Sequence, residues 1–218
     1  MPYPGGLTRN IVQCLDDYNI PLKLNCTVVE IHGKKRVEGV TIAQVDNNRK
    51  PIPNTYEYVE CDTLLLSVGL IPENELSMEA GVVIDPVTSG PVVNESMETS
   101  IGGIFACGNV VHVHDLVDRA TEEAMRAGRS AAKFILSGKY EGIQPGIRLP
   151  DEKSTITTVA GEGIRYVVPQ IIRKEYVEEN SEILFRVRDV YRNVRISLIS
   201  GGEKIYSVKK VRVAPGEM

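Results

Sequence analysis

The sequence predicts an α/β domain of three layers followed by a small antiparallel β domain. Three observations predict it. Residues 64 to 68 are an apolar L-L-L-S-V run that starts after Asp62 and is closed by Gly69 and Pro72, the pattern of a strand buried in a parallel sheet. Leu116 to Leu136 carries Ala120, Ala124, Ala127, Gly128, Ala131 and Ala132 at helical spacing, which predicts a long helix that packs closely through small residues. Composition shifts near residue 150: residues 1–150 hold 13 Lys and Arg against 19 Asp and Glu, and residues 151–218 hold 12 against 10. The expected organisation is one domain over 1–140, a linker over 141–150 and a β domain over 151–218.

In chain order, M-P-Y-P-G-G-L has the glycine and proline density of a loop, and Thr8 is placed to cap a helix through Ile11, Val12, Leu15 and Tyr18. Period-two patterns predict strands at Thr27 to Ile31, Val37 to Val45 and Thr55 to Cys61. The H-G-K-K turn and the polar tip D-N-N-R-K-P-I-P-N separate them, making an antiparallel meander that feeds the buried strand at Leu64 to Val68. A short helix over N-E-L-S-M-E-A ends at Gly81, and V-V-I-D-P-V-T-S-G-P-V-V reads as a hairpin. After the long helix, S-G-K-Y-E-G-I-Q-P-G-I-R-L-P reads as a linker. Strands are then expected at Ile164 to Val168, Ile183 to Val187, Val194 to Ile199 and Lys204 to Val213, forming half a sandwich. Arg186, Arg188, Arg192 and Arg195 read as a solvated strand face, with an anion site as the sharper alternative.

A formal charge of −4 gives no reason to expect nucleic acid as a partner. No apolar stretch approaches the roughly 20 residues of a membrane span, and no signal peptide is evident, so a cytoplasmic protein is expected. Cys14, Cys26, Cys61 and Cys107 are scattered and include no C-x-x-C pair. Cys107 reads as a small buried apolar residue rather than a reactive thiol.

The run T-S-I-G-G-I-F-A-C-G-N, Thr99 to Asn109, is the most informative segment. A short apolar strand, Ile104 to Cys107, ends in Gly108, where the backbone can approach a ligand closely, and a short polar side chain follows. It resembles the T-x-x-P-G-hydrophobic-aromatic-A-x-G-D signature of the pyridine nucleotide-disulfide oxidoreductases, flavoproteins built from two dinucleotide-binding domains. Thr99, Gly103, Ile104, Phe105, Ala106 and Gly108 match it, whereas Gly102 replaces the usual proline and Asn109 the usual aspartate. Asn109 can accept and donate hydrogen bonds without supplying the charge. D-T-L-L-L-S-V-G-L-I-P, Asp62 to Pro72, resembles the point where that family's chain leaves its NAD(P) domain and returns to its FAD domain.

This resemblance covers roughly the first 140 residues and implies a partial FAD/NAD(P)-binding Rossmann-like domain, with FAD as cofactor and NAD or NADP as co-substrate. It places Gly108, Asn109 and Val110 beside the ribityl and phosphate side of FAD. Leu116, Val117, Asp118 and Arg119 would stand at the flavin ring, where a helix N-terminus stabilises negative charge. Hydride would pass between nicotinamide and flavin N5. Absence of C-x-x-C points away from disulfide substrates.

A dinucleotide also needs a G-x-G-x-x-G turn for its pyrophosphate. None is present: Gly161-Glu162-Gly163 continues with Ile-Arg-Tyr, and Gly102-Gly103 has the wrong spacing. The expectation is a fragment or subunit that is inactive alone and takes the missing turn from a protein partner. An exposed sheet edge would favour a homodimer or other self-association. The competing expectation is a non-catalytic docking module derived from such an enzyme.

V-H-V-H-D, Val111 to Asp115, follows the flavin motif, and alternation puts His112 and His114 on one side if the stretch is extended. Three readings stay open: a catalytic proton donor or anion stabiliser near the flavin, a metal site from His112, His114 and Asp115 with too few ligands identified, or a polar loop at a cleft mouth. His32, in a hairpin turn, reads as a surface residue.

Overall fold

The computed structural model describes residues 8–67, 69–138, 154–177 and 181–218. The chain forms two compact units, Met1–Gly69 and Leu70–Met218. Their boundary falls inside the D-T-L-L-L-S-V-G-L-I-P motif rather than near residue 150. The expected opening loop and the 141–150 linker lie outside the described residues.

The first unit opens with helix α1 (Thr8–Ile11), which widens into a π-helical turn over Val12–Asp16 and ends where Asn19 adopts φ 51°. Three antiparallel strands follow in the order β1-β2-β3: β1 (Cys26–His32), β2 (Gly39–Gln44) and β3 (Glu57–Glu60). The predicted meander is therefore present, with a bulge in β1 between Val28 and Glu30. Gly33 is required in its turn: φ is 114° and an added Cβ would lie 1.9 Å from the Arg36 carbonyl oxygen. At the polar tip the Asp46 carboxylate accepts the N–H groups of Asn48 and Lys50. Val40 and Ala43 of the central strand are buried. His32 is half-buried rather than a surface residue, with Nε2 2.7 Å from Thr41 Oγ1 and its ring beside Tyr58.

The buried strand expected at Leu64 to Val68 is not formed over its described residues: 64–67 are irregular and Leu65 is 89% exposed. An apolar run becomes a parallel strand only when neighbouring strands take up its N–H and C=O groups. Among the described residues no strand pairs with it.

The second unit starts with α2 (Glu75–Glu79), whose end at Gly81 with φ 78° matches the sequence reading. The predicted hairpin closes through an antiparallel bridge between Ile84 and Pro91 and the bond from Val92 N–H to the Val83 carbonyl. Ile104 to Cys107 forms no regular strand; a single bridge joins Phe105 to Glu98 across the tight turn at Gly103, φ 83°. Then come a 3-10 turn at Gly108–Val110 and the long helix α3 (Val117–Leu136).

Strands β4 (Thr155–Thr157), β5 (Ile164–Val168), β6 (Ile171–Arg173), β7 (Leu184–Val187), β8 (Tyr191–Ser200) and β9 (Glu203–Val213) pair antiparallel as β4-β6, β5-β7 and β8-β9. The expected half sandwich is thus three two-stranded ribbons, and β4 and β6 add to the predicted strands. They do not form a separate domain. Tyr166 and Val168 of β5 share one core with Val93, Met97, Ala106, Val111 and Ala127, and Asn94 bridges Ile171 in parallel. Burying a large apolar side chain contributes about 1.5–3 kcal/mol, so this shared cluster fastens β5 to the Thr99–Asn109 segment.

Only part of the small-residue pattern on α3 is used for packing: Ala127 is buried, whereas Ala124, Gly128 and Ala132 are exposed. The small residues span two adjacent stripes of the helix, and one of the two faces inward.

Candidate functional site

The site is built from the 3-10 turn, the histidine segment and the first turns of α3. Gly108 has φ 73°, a left-handed backbone that glycine accepts without strain, and an added Cβ would meet nothing within 4 Å. Open space therefore lies in front of this glycine. Asn109 folds back, its Oδ1 accepting the His114 N–H at 3.0 Å. Leu116 holds the N-cap position of α3 with no side-chain cap, so the first N–H groups of a 20-residue helix lack that partner. Val110, Leu116 and Val117 are exposed around it. Asp118 is exposed in the first turn, and Arg119 pairs with Glu122 at 3.2 Å and Glu182 at 3.4 Å.

Behind the turn is a buried polar cluster. His112 and Glu123 are each 1% exposed, and the side chain of His114 is 2% exposed. Glu123 Oε2 lies 3.0 Å from His112 Nε2 and 3.3 Å from His114 Nε2, while Oε1 accepts the Gly108 N–H at 2.7 Å. Burial alone would raise the Glu123 carboxyl. The imidazoles of His112 and His114 beside one of its oxygens, the charge of His112 and the Gly108 N–H outweigh it and hold the group at about 2. The two imidazole rings are 4.4 Å apart. His112 Nδ1, both ring nitrogens of His114 and Asp115 Oδ1 are buried without a hydrogen-bond partner. Asp115 uses its other oxygen to accept the Met218 N–H at 3.2 Å, so the carboxylate that joins the two histidines is Glu123 and not Asp115.

No local motif in the sequence marks Glu123. Its signal is positional: it lies three residues after Ala120 and four before Ala127, a carboxylate on the inward stripe of α3. Arg186, expected on a solvated strand face, is half-buried and donates to Tyr166 Oη (2.8 Å) and to the carbonyls of Pro215 (2.6 Å) and Val113 (2.7 Å). It holds the histidine segment by its backbone. Cys107 is half-buried, and burial, followed by the charge of Glu123, raises its thiol above 9.0, consistent with a packing role.

The site thus joins a glycine turn facing open space to an uncapped helix N-terminus with exposed apolar neighbours, in a protein built of both helices and strands. The family model for pyridine nucleotide-disulphide oxidoreductase matches residues 3–128, and the chain belongs to that family, whose members are FAD/NAD(P)-dependent oxidoreductases. It is 30% identical over 148 residues to an NADH oxidase of Streptococcus pyogenes, covering 65% of this chain and 29% of that protein. It is 29% identical over 126 residues to the mitochondrial dihydrolipoyl dehydrogenase of Caenorhabditis elegans, covering 57% and 24%. With the CoA-dependent NAD(P)H sulfur oxidoreductase of Pyrococcus furiosus it shares 24% identity over 192 residues, 86% of this chain and 39% of the other. The chain thus spans between about a quarter and two-fifths of the length of these relatives. Among the described residues no helix is long and apolar enough to cross a membrane.

Proposed function

We propose that this chain contributes the flavin-facing part of an FAD-dependent, NAD(P)-linked oxidoreductase. The observation that carries the reading is the Gly108 turn, left-handed and open in front, set immediately before the uncapped N-terminus of α3. These residues fit a flavin: the backbone at Gly108 admits a ribityl chain, the helix N-terminus favours negative charge on the ring, and Val110, Leu116 and Val117 offer apolar contact. Bound there, FAD supplies hydride chemistry. The chain's own residues bind and orient. Asn109 spends its carbonyl oxygen on the His114 N–H, which orders the segment after the turn, and Glu123, paired with His112, fixes the turn through the Gly108 N–H. His112 and His114 face Glu123 rather than an open cleft, because both side chains are buried, and they position the turn instead of meeting the flavin directly.

Since no G-x-G-x-x-G occurs in the chain, the pyrophosphate of FAD is held by a glycine turn on a partner segment, and the chain alone turns over slowly or not at all. The lack of a C-x-x-C pair favours a small metabolite or another electron carrier over a disulfide as the substrate. Addition of FAD to isotope-labelled protein is expected to shift the amide resonances of Gly108, Asn109, Leu116 and Val117 selectively, with riboflavin acting nearly as well because only the ring half is contacted. Unshifted amides at saturating flavin would refute the reading.

A further inference from the structure

We propose that His112, His114 and Glu123 form a binding site for a divalent first-row metal ion of the zinc class, each imidazole giving one nitrogen and Glu123 one carboxylate oxygen. The three side chains come from two elements brought together by the fold, and one ligand atom from each can be chosen so that all lie within 4.8 Å of one another. Around Zn²⁺ bound at about 2.0–2.2 Å, tetrahedral ligand atoms stand roughly 3.3–3.6 Å apart. Here the separations from Glu123 Oε2 are 3.0 Å and 3.3 Å to the two Nε2 atoms, close to that spacing.

The second observation is the unused nitrogen. His114 Nε2 is buried 3.3 Å from this carboxylate without the geometry of a hydrogen bond, and its Nδ1 has no hydrogen-bond partner either. A buried polar atom without a partner is costly, and a cation between the rings would use its lone pair. Two imidazoles with one carboxylate suit Zn²⁺, Co²⁺, Ni²⁺ or Fe²⁺, whereas Mg²⁺ and Ca²⁺ prefer all-oxygen shells. Glu123 is oriented for this by its other oxygen, which accepts the Gly108 N–H. With three protein ligands the fourth position is left for water. This site lies behind the Gly108 turn and does not rest on the flavin reading.

The test is Co²⁺ titration of the full chain after chelator treatment and desalting. One equivalent is expected to bind with the visible absorption of a low-coordinate imidazole site and to be displaced by Zn²⁺. His114→Ala leaves the bonds of Glu123 to His112 and to the Gly108 N–H in place, so the fold should persist by circular dichroism while affinity falls about 100-fold. Failure of the wild-type chain to take up Co²⁺, or uptake unchanged in the variant, overturns the site. If the variant does not fold, X-ray absorption of the wild-type Zn²⁺ protein decides it: scattering from two imidazoles supports the site, and sulfur ligands or oxygen alone overturn it.

Discussion

The Gly108 N–H donates to Glu123 Oε1 at 2.7 Å, tying a glycine turn to a side chain 15 residues further along. The open face of the turn and the buried face of α3 are thereby one mechanical unit, because any displacement of Glu123 removes the acceptor that holds Gly108 in its left-handed backbone.

Glu123→Ala should cost about 2–4 kcal/mol of stability, since it strands the Gly108 N–H and leaves His112 without its partner. Urea unfolding checks this. Glu123→Gln, which keeps a carbonyl acceptor, should lose less.

Acid stability should report the same residue in metal-free protein. The Glu123 carboxyl titrates near 4.5 when unfolded and at about 2 when folded. A depressed folded value gives stability that is complete above pH 4.5 and lost progressively as pH falls toward 2. Unfolding free energy measured across this window should fall more steeply for the wild type than for Glu123→Gln; parallel curves would count against the assignment.

Two glycine substitutions should act in opposite directions. An added Cβ at Gly90 would lie 1.8 Å from the Val111 carbonyl oxygen, so Gly90→Ala should destabilise by about 2 kcal/mol or more. Gly128, exposed within α3 with nothing within 4 Å of an added Cβ, should gain about 0.5–1 kcal/mol as alanine. Thermal melts of the two variants make the comparison.

Arg173 binds Glu95 at 2.8 Å and Glu98 at 2.8 Å, with both carboxylates largely buried. Arg173→Ala should cost about 2 kcal/mol through the carboxylates left behind, and lysine should recover only part because the bidentate fork is lost. Denaturant midpoints test the order.

Local signals were legible in the sequence where a segment satisfies itself. The meander, α2 with its glycine stop, α3 and the β8-β9 hairpin all follow from periodicity and turn chemistry. What failed depended on partners distant in sequence. Leu64 to Ser67 has the composition of a buried strand, but strands are made by neighbours and none pairs with it among the described residues. β4 and β6 are only three residues each, too short for a period-two pattern to stand out. In the site, Gly108, Asn109, His112 and His114 were visible from their spacing. Glu123 and Arg186 were not, because a buried charge is recognisable only once its partners surround it.

The β8-β9 ribbon has a further consequence. Its two long strands pair only with each other among the described residues, so each keeps an outer backbone edge open to strand addition. Residues 191–213 carry six cations, Arg192, Arg195, Lys204, Lys209, Lys210 and Arg212, against the one carboxylate of Glu203. Two such ribbons brought edge to edge confront an excess of like charge, and that repulsion works against fibril-like stacking of the chain on its own copies.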